Sequence, residues 1–309
     1  MSENLLLILF NIFIVLMLIL DLGFVQRRAH FPSMKEAIGW SVVWISLALL
    51  FDAYIWYELG SVKALEFFTG YVIEQALSVD NVFVFIVILT YFAVPREAQH
   101  KVLFWGVLSA IVFRAIFIVL GAALVAEFHW ILYLLGAFLV ATGIKLWFQG
   151  DTEVHPERNP IVRFVQRMFP MTKEYHGEKF FIRENKKLMM TPLFLVLVMI
   201  ETTDIAFAVD SIPAIFAITR DTVIIYTSNI FAVLGLRSLY FVVAGFMKQF
   251  RYLKYGLSFV LTFIGAKMLI EPIYKVQIGA SLLVVFAVIA LSVGLSLMPH
   301  ARREKEAGK

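Results

Sequence analysis

A chain of 309 residues could hold one or two soluble domains, but 61% of its residues are hydrophobic and its mean hydropathy is +0.84, beyond what a water-soluble core needs. Only 16% of residues are charged, and the basic ones behind the net charge of +4 cluster between apolar runs, a pattern of membrane topology rather than of a nucleic-acid-binding face. The absence of cysteine excludes disulfides, thiolate metal sites, iron–sulfur clusters and thiol redox chemistry together.

Crossing roughly 30 Å of hydrocarbon takes about 20 apolar residues, and nine runs qualify, at approximately 4–25, 38–58, 66–92, 102–126, 130–149, 190–218, 223–247, 253–275 and 277–298. They are continuous rather than alternating, so they are expected to be helices and not barrel strands. The fold class is therefore all-α integral membrane. The first run lacks a basic n-region and a small-residue cleavage site and is expected to be a retained helix. The six histidines, at 30, 100, 129, 155, 176 and 300, fall in or beside loops. No buried imidazole cluster is expected.

The loops give orientation. One side holds Arg27, Arg28 and Lys35, then Arg96 and Lys101, eight cations in 150–189, then Lys248, Arg251 and Lys254, and a basic tail, whereas the other holds only Lys63, Arg220 and Lys275. The richer side is expected in the cytoplasm, with the N-terminus outside and the C-terminus inside.

The third span, GYVIEQALSVDNVFVF, resembles the sixth, LVMIETTDIAFAVDSIPAIF, aligning Glu74 with Asp204, Asp80 with Asp210 and Asn81 with Ser211. Phe92–Glu97 (FAVPRE) then parallels Phe216–Asp221 (FAITRD), Arg114 parallels Arg237, and Gly143-Ile-Lys145 parallels Gly265-Ala-Lys267. Spans 3–5 thus repeat as spans 6–8, and an odd offset of three makes the repeat inverted. Such repeats place a site near the midplane between halves that can rock. The expected organisation is two peripheral spans (1–65), a first repeat (66–149), a polar cytoplasmic connector without a recognisable motif (150–189), a second repeat (190–275), and a last span with the basic tail (276–309).

A charge at the bilayer centre costs about 2.5–3.5 kcal/mol on insertion scales. Five acids nevertheless lie in spans 3 and 6: Glu74, Asp80, Glu201, Asp204 and Asp210. Arg114 and Arg237 oppose them near mid-span, while Lys145 and Lys267 lie nearer span ends, within reach of headgroups. Asp21 and Asp52 are weaker candidates, near the ends of their spans. Either the charges merely pair and hold the bundle together, or the surplus of carboxylates serves a proton or a cation. Glu74 and Asp80 are six residues apart, about 240° around a regular helix, and cannot aim at one point. Pro213, three residues after Asp210, leaves the carbonyl of Val209 without its helical donor, so irregularity is expected around Asp210–Pro213. Carboxylates, amides and hydroxyls are hard donors that suit Mg²⁺, Ca²⁺ or Mn²⁺. Composition leaves these ions and protons all open.

The segments EQALSVDN and AVDSIPAIFA, within a similarity running from about Gly39 to Lys275, resemble the two signature regions of the TerC family of bacterial membrane proteins, most closely its Alx members. The resemblance implies a multi-pass inner-membrane protein linked to manganese homeostasis, which exports Mn²⁺ from the cytoplasm. Its acidic motif positions fall on Glu74, Asp80 and Asn81 in the first half and on Glu201, Asp204, Asp210 and Ser211 in the second. Arg114, Arg237, Lys145 and Lys267 are then charge partners. Mn²⁺ is the expected transported ion rather than a tightly bound cofactor, with the lipid bilayer and protons as further partners and nucleic acid excluded. Family associations with tellurium resistance and redox control read as indirect. No enzyme motif is present: nothing resembles a phosphate-binding loop, a nucleophile with its base or a metalloprotease helix. The competing expectations are a proton-coupled exchanger without metal specificity and a non-transporting structural protein.

Overall fold

The computed structural model describes residues 3–25, 33–128, 130–148, 159–184, 187–246 and 252–297. Arg27, Arg28, Arg158, Lys186, Lys248, Arg251, the tail cations, His30, His129, His155, His300 and the side chain of Asp21 lie outside that description. The chain is built from α1 (Glu3–Val25), α2 (Met34–Leu59), α3 (Ser61–Tyr91), α4 (Arg96–Glu127), α5 (Ile131–Phe148), α6 (Pro160–Met168), β1 (Phe181–Glu184), β2 (Lys187–Met190), α7 (Pro192–Phe216), α8 (Thr222–Leu234), α9 (Leu236–Phe246), α10 (Leu253–Ile270) and α11 (Ile278–Leu297).

Among the described residues seven helices are long and apolar enough to cross a membrane, and α8 with α9 makes an eighth if the pair is one span. The apolar stretch counted in α1 is shorter, Leu5–Ile19, so the described residues support seven or eight of the nine expected crossings. The seventh expected span is broken by 45° between α8 and α9. Gly235 sits at the break, and the Ser238 hydroxyl donates to its carbonyl at 2.9 Å, the Gly/Ser combination that lets a helix bend. By contrast α7 runs unbroken to Phe216 with Pro213 inside it. The expected irregularity at Asp210–Pro213 is corrected: the proline lies in the final turn, where few hydrogen bonds remain downstream to be disrupted.

The connector is folded. It carries α6 and an antiparallel hairpin pairing Phe181 with Met190 and Glu184 with Lys187, and Tyr175 anchors it by donating to the Phe92 carbonyl at 2.7 Å. α3 and α4 also begin earlier than their apolar runs. Lys63 explains the extension of α3, because it bridges Glu66 one turn on and Asp221 beyond and so gives a polar first turn its partners.

Helix pairing follows a pattern. α3 packs on α8 and α9 as α7 packs on α4, while α3 meets α7 and α5 runs along α10. The α5–α10 seam depends on glycine. A Cβ on Gly143 would lie 2.8 Å from the Ser258 carbonyl, and one on Gly265 would lie 2.6 Å from the Gly136 carbonyl. Small residues at both points let the backbones approach, as membrane helices require when no hydrophobic force drives them together.

Overpacking costs about 1–3 kcal/mol, and here the obstacle is backbone, which cannot rotate away. Gly265→Val should therefore lower the thermal unfolding midpoint in detergent, whereas Gly39→Ala, where a Cβ meets nothing within 4 Å, should not. Equal midpoints for the two variants would contradict the close-packed seam.

Candidate ion site in the membrane

The seven sequence-predicted ligands separate into three groups. The first is a buried ion cluster. Arg114 of α4 is fully buried and Glu74 and Asp204 nearly so, at 1% and 2% exposure. The guanidinium holds Asp204 through Nε and Nη2 at 3.4 and 3.3 Å, donates Nη1 to Glu74 and also reaches the Asn229 amide oxygen at 3.2 Å. One planar fork thus ties α3, α4, α7 and α8 together. Two carboxylates against one guanidinium leave a formal surplus of one negative charge when both acids are ionised.

The second group lines a cavity of about 640 Å³ between α3, α5, α7 and α10, bounded by Asp80, Asn81, Thr142, Lys145, Thr202, Thr203, Asp210, Ser211 and Lys254, with Asn159 at the start of α6. Each repeat helix contributes an acid followed by a neutral polar residue. Thr142 is 3.5 Å from Asp210 and Lys145 is within its electrostatic range, while Lys254 acts on Asp80. Asn81 Nδ2, Ser211 Oγ and, one turn before Asn81, Ser78 Oγ are buried without a protein hydrogen-bond partner. Of these, Asn81 and Ser211 line the cavity and Ser78 does not; orphaned atoms there are sites for water, and the Ser211 hydroxyl oxygen can also face a cation, which the Asn81 N–H donor cannot.

The third group is Glu201 alone. It faces α4, where Ser109 donates to Oε1, and its Oε2 is buried without a partner. The cavity lining does not include it. Among the described residues no three Asp, Glu or His side chains converge as a metal-holding group, so in this conformation the seven predicted ligands do not form one shell.

The four charge partners also part company. Arg114 is central. Arg237 is half-buried in the first turn of α9, beside the Gly235 break. Lys145 borders the cavity rather than only the lipid, and Lys267 is buried, with Glu271 in range, instead of reaching headgroups. Asp52, the weaker candidate on α2, is half-buried with Oδ1 unpartnered, and the cavity lining leaves it out. Sequence reading missed Asn229, Ser109, Thr142, Thr202 and Thr203. The run Thr227-Ser228-Asn229 inside an apolar span and the pair Thr202-Thr203 between Glu201 and Asp204 were the available signals.

Removing one member of a buried ion cluster costs about 3–5 kcal/mol, because its partners stay buried and uncompensated. Arg114→Gln should lose folded yield and unfolding midpoint by such a margin, and Glu74→Gln added to it should restore part of the loss. An Arg114→Gln protein as stable as the parent would mean that the cluster holds nothing together.

The profile of the integral membrane protein TerC family matches residues 59–305. An uncharacterised membrane protein of Myxococcus xanthus is 48% identical, covering 94% of this chain and 91% of its own. Proteins of Escherichia coli and Salmonella typhi with the provisional description of membrane-bound redox modulator Alx are each 45% identical, covering 97% and 96% of this chain and 96% and 95% of their own. No solved structure matches significantly. The family match over most of the chain, these relatives and the multi-span helical bundle together establish that the chain belongs to the TerC family of integral membrane proteins.

Proposed function

We propose that this protein exports Mn²⁺ from the cytoplasm across the bacterial inner membrane, by alternating access of a site centred on Asp80, Asn81, Asp210 and Ser211. The observation that carries this reading is the cavity itself: two acids and two neutral polar residues from different helices border it together with threonine hydroxyls. Hard oxygen donors of this kind suit a hard divalent cation. Two carboxylates rather than three suit cargo over a resident ion, since conduction needs binding weak enough to release.

Exchanging α3 with α7, α4 with α8–α9 and α5 with α10 carries the main helix pairings onto one another: α3 on α8–α9 onto α7 on α4, and α3 on α10 onto α7 on α5, with α3–α7 and α5–α10 each mapped onto itself. The same exchange carries the Gly143–Ser258 approach onto the Gly265–Gly136 approach. These correspondences support the inverted repeat. The cavity borders Lys145 near the end of α5, Lys254 near the start of α10 and Asn159 in the connector, which the charge bias assigns to the cytoplasm. At the opposite end Lys63 joins Glu66 and Asp221 at 3.0 and 2.9 Å, and Thr219 donates to Glu66 at 2.7 Å. A state open inward and latched outward fits these contacts.

In this reading Arg114 is a tethered counter-charge that keeps Glu74 and Asp204 compensated when no cation is present. A purely structural role has its own support in that cluster, where both acids are already paired. The relatives' description as redox modulators fits an indirect effect of metal handling, because a chain without cysteine brings no thiol couple of its own.

Asp80→Asn and Asp210→Asn should each cut Mn²⁺ flux in proteoliposomes by at least on the order of 10–100-fold, the loss seen when even an outer-shell partner of a metal site is removed, and cells carrying them should accumulate manganese. Flux that follows pH but ignores Mn²⁺ would point to a proton exchanger instead. Unaltered cell manganese at normal expression would remove the proposal.

A further inference from the structure

Helix α6, PIVRFVQRM, is two-faced in a way the bundle does not use up. Val162 is buried at 1% exposure against the bundle core, but Ile161, Phe164 and Met168 stand 47%, 61% and 57% exposed. At 100° per residue these three share one flank, Arg167 lies beside it, about 60° from Phe164, and Arg163 lies further round, both arginines exposed. An apolar flank next to a basic one is the form of a helix that lies in a membrane interface.

Its height relative to the bilayer follows from its neighbours. Asn159 caps α6 by accepting from the backbone N–H groups of Ile161 and Val162, and its amide donates to Thr202 of α7 at 2.9 Å. Asn159, Pro160 and Ile161 border the same cavity as Lys145 and Lys254. Those lysines lie at the adjoining ends of α5 and α10, helices of 18 residues each or about 27 Å, close to the hydrocarbon thickness. At that end Trp147 and Tyr255 meet edge to face at 5.2 Å, both exposed, next to Phe148 at 81% exposure. Exposed aromatic residues at the tips of membrane helices mark the headgroup layer, so α6 lies at that layer.

We propose that α6 docks on the bilayer surface, with Ile161, Phe164 and Met168 among the upper acyl chains and Arg167, with Arg163, on the phosphates of anionic phospholipids. The docking rests on membrane embedding alone and not on which ion is carried. Under the transport reading it has a consequence: anionic headgroups held at the cavity mouth raise the local concentration of divalent cations.

The chain has no cysteine, so single labels are unambiguous. Phe164→Cys, Met168→Cys and, on the polar flank, Gln166→Cys would each carry an environment-sensitive fluorophore in vesicles containing phosphatidylglycerol. The labels at 164 and 168 should be quenched several-fold more by a nitroxide on the upper acyl chain than by aqueous iodide, and the label at 166 should show the reverse. Adding Arg163→Gln and Arg167→Gln should bring acyl-chain quenching down to its level in phosphatidylcholine vesicles. Iodide access at 164 and 168 equal to that at 166 would show a solvated flank and overturn the proposal. Protection from both quenchers would overturn it too, since the flank would then be covered by protein, as in a second copy.

Discussion

The bundle is organised around a charge that has nowhere to go. Arg114 sits among helices in a medium where an isolated ion is strongly disfavoured, and its guanidinium is satisfied only by reaching Glu74 on α3, Asp204 on α7 and Asn229 on α8 at once. A single planar donor therefore fixes the distance and register between α3, α4, α7 and α8 at this level. Apolar packing around the cluster is adaptable, but the fork tolerates little displacement.

The cavity is the complement of that cluster. Where Glu74 and Asp204 meet a guanidinium, the acids six residues further along the same helices, Asp80 and Asp210, border open space with lysines at its rim. The two pairs of acids thus differ: one pair is tied to Arg114, and the other borders the cavity. This division accords with the finding that no three acids converge among the described residues although six acids lie on α3 and α7.

Much of this was legible in sequence because hydropathy and charge act locally. The crossings, the alternating basic loops and the alignment of Asp80-Asn81 with Asp210-Ser211 need no knowledge of packing. What could not be read was tertiary. The bend falls at Gly235, not at Pro213, because a proline in a last turn disturbs little, whereas Gly235 lies mid-span with the Ser238 hydroxyl donating to its carbonyl. The sharing of one arginine by two acids depends on which faces of α3 and α7 meet, and spacing along one helix is silent on that. Likewise the position of Lys145 near a span end puts it within reach of headgroups, but only the packing of α5 beside α7 and α10 shows that it borders the cavity.

Uptake of a hard divalent cation by the acids that border the cavity, Asp80 and Asp210, is the central requirement of transport. Purified protein equilibrated with Mn²⁺, with bound metal identified and counted by mass spectrometry, tests this most directly. Binding should be lost on Asp80→Asn or Asp210→Asn while the fold is retained, and Ca²⁺ or Mg²⁺ in excess should compete in proportion to their fit. No saturable metal binding by the folded parent, or binding that survives both substitutions together, would contradict it.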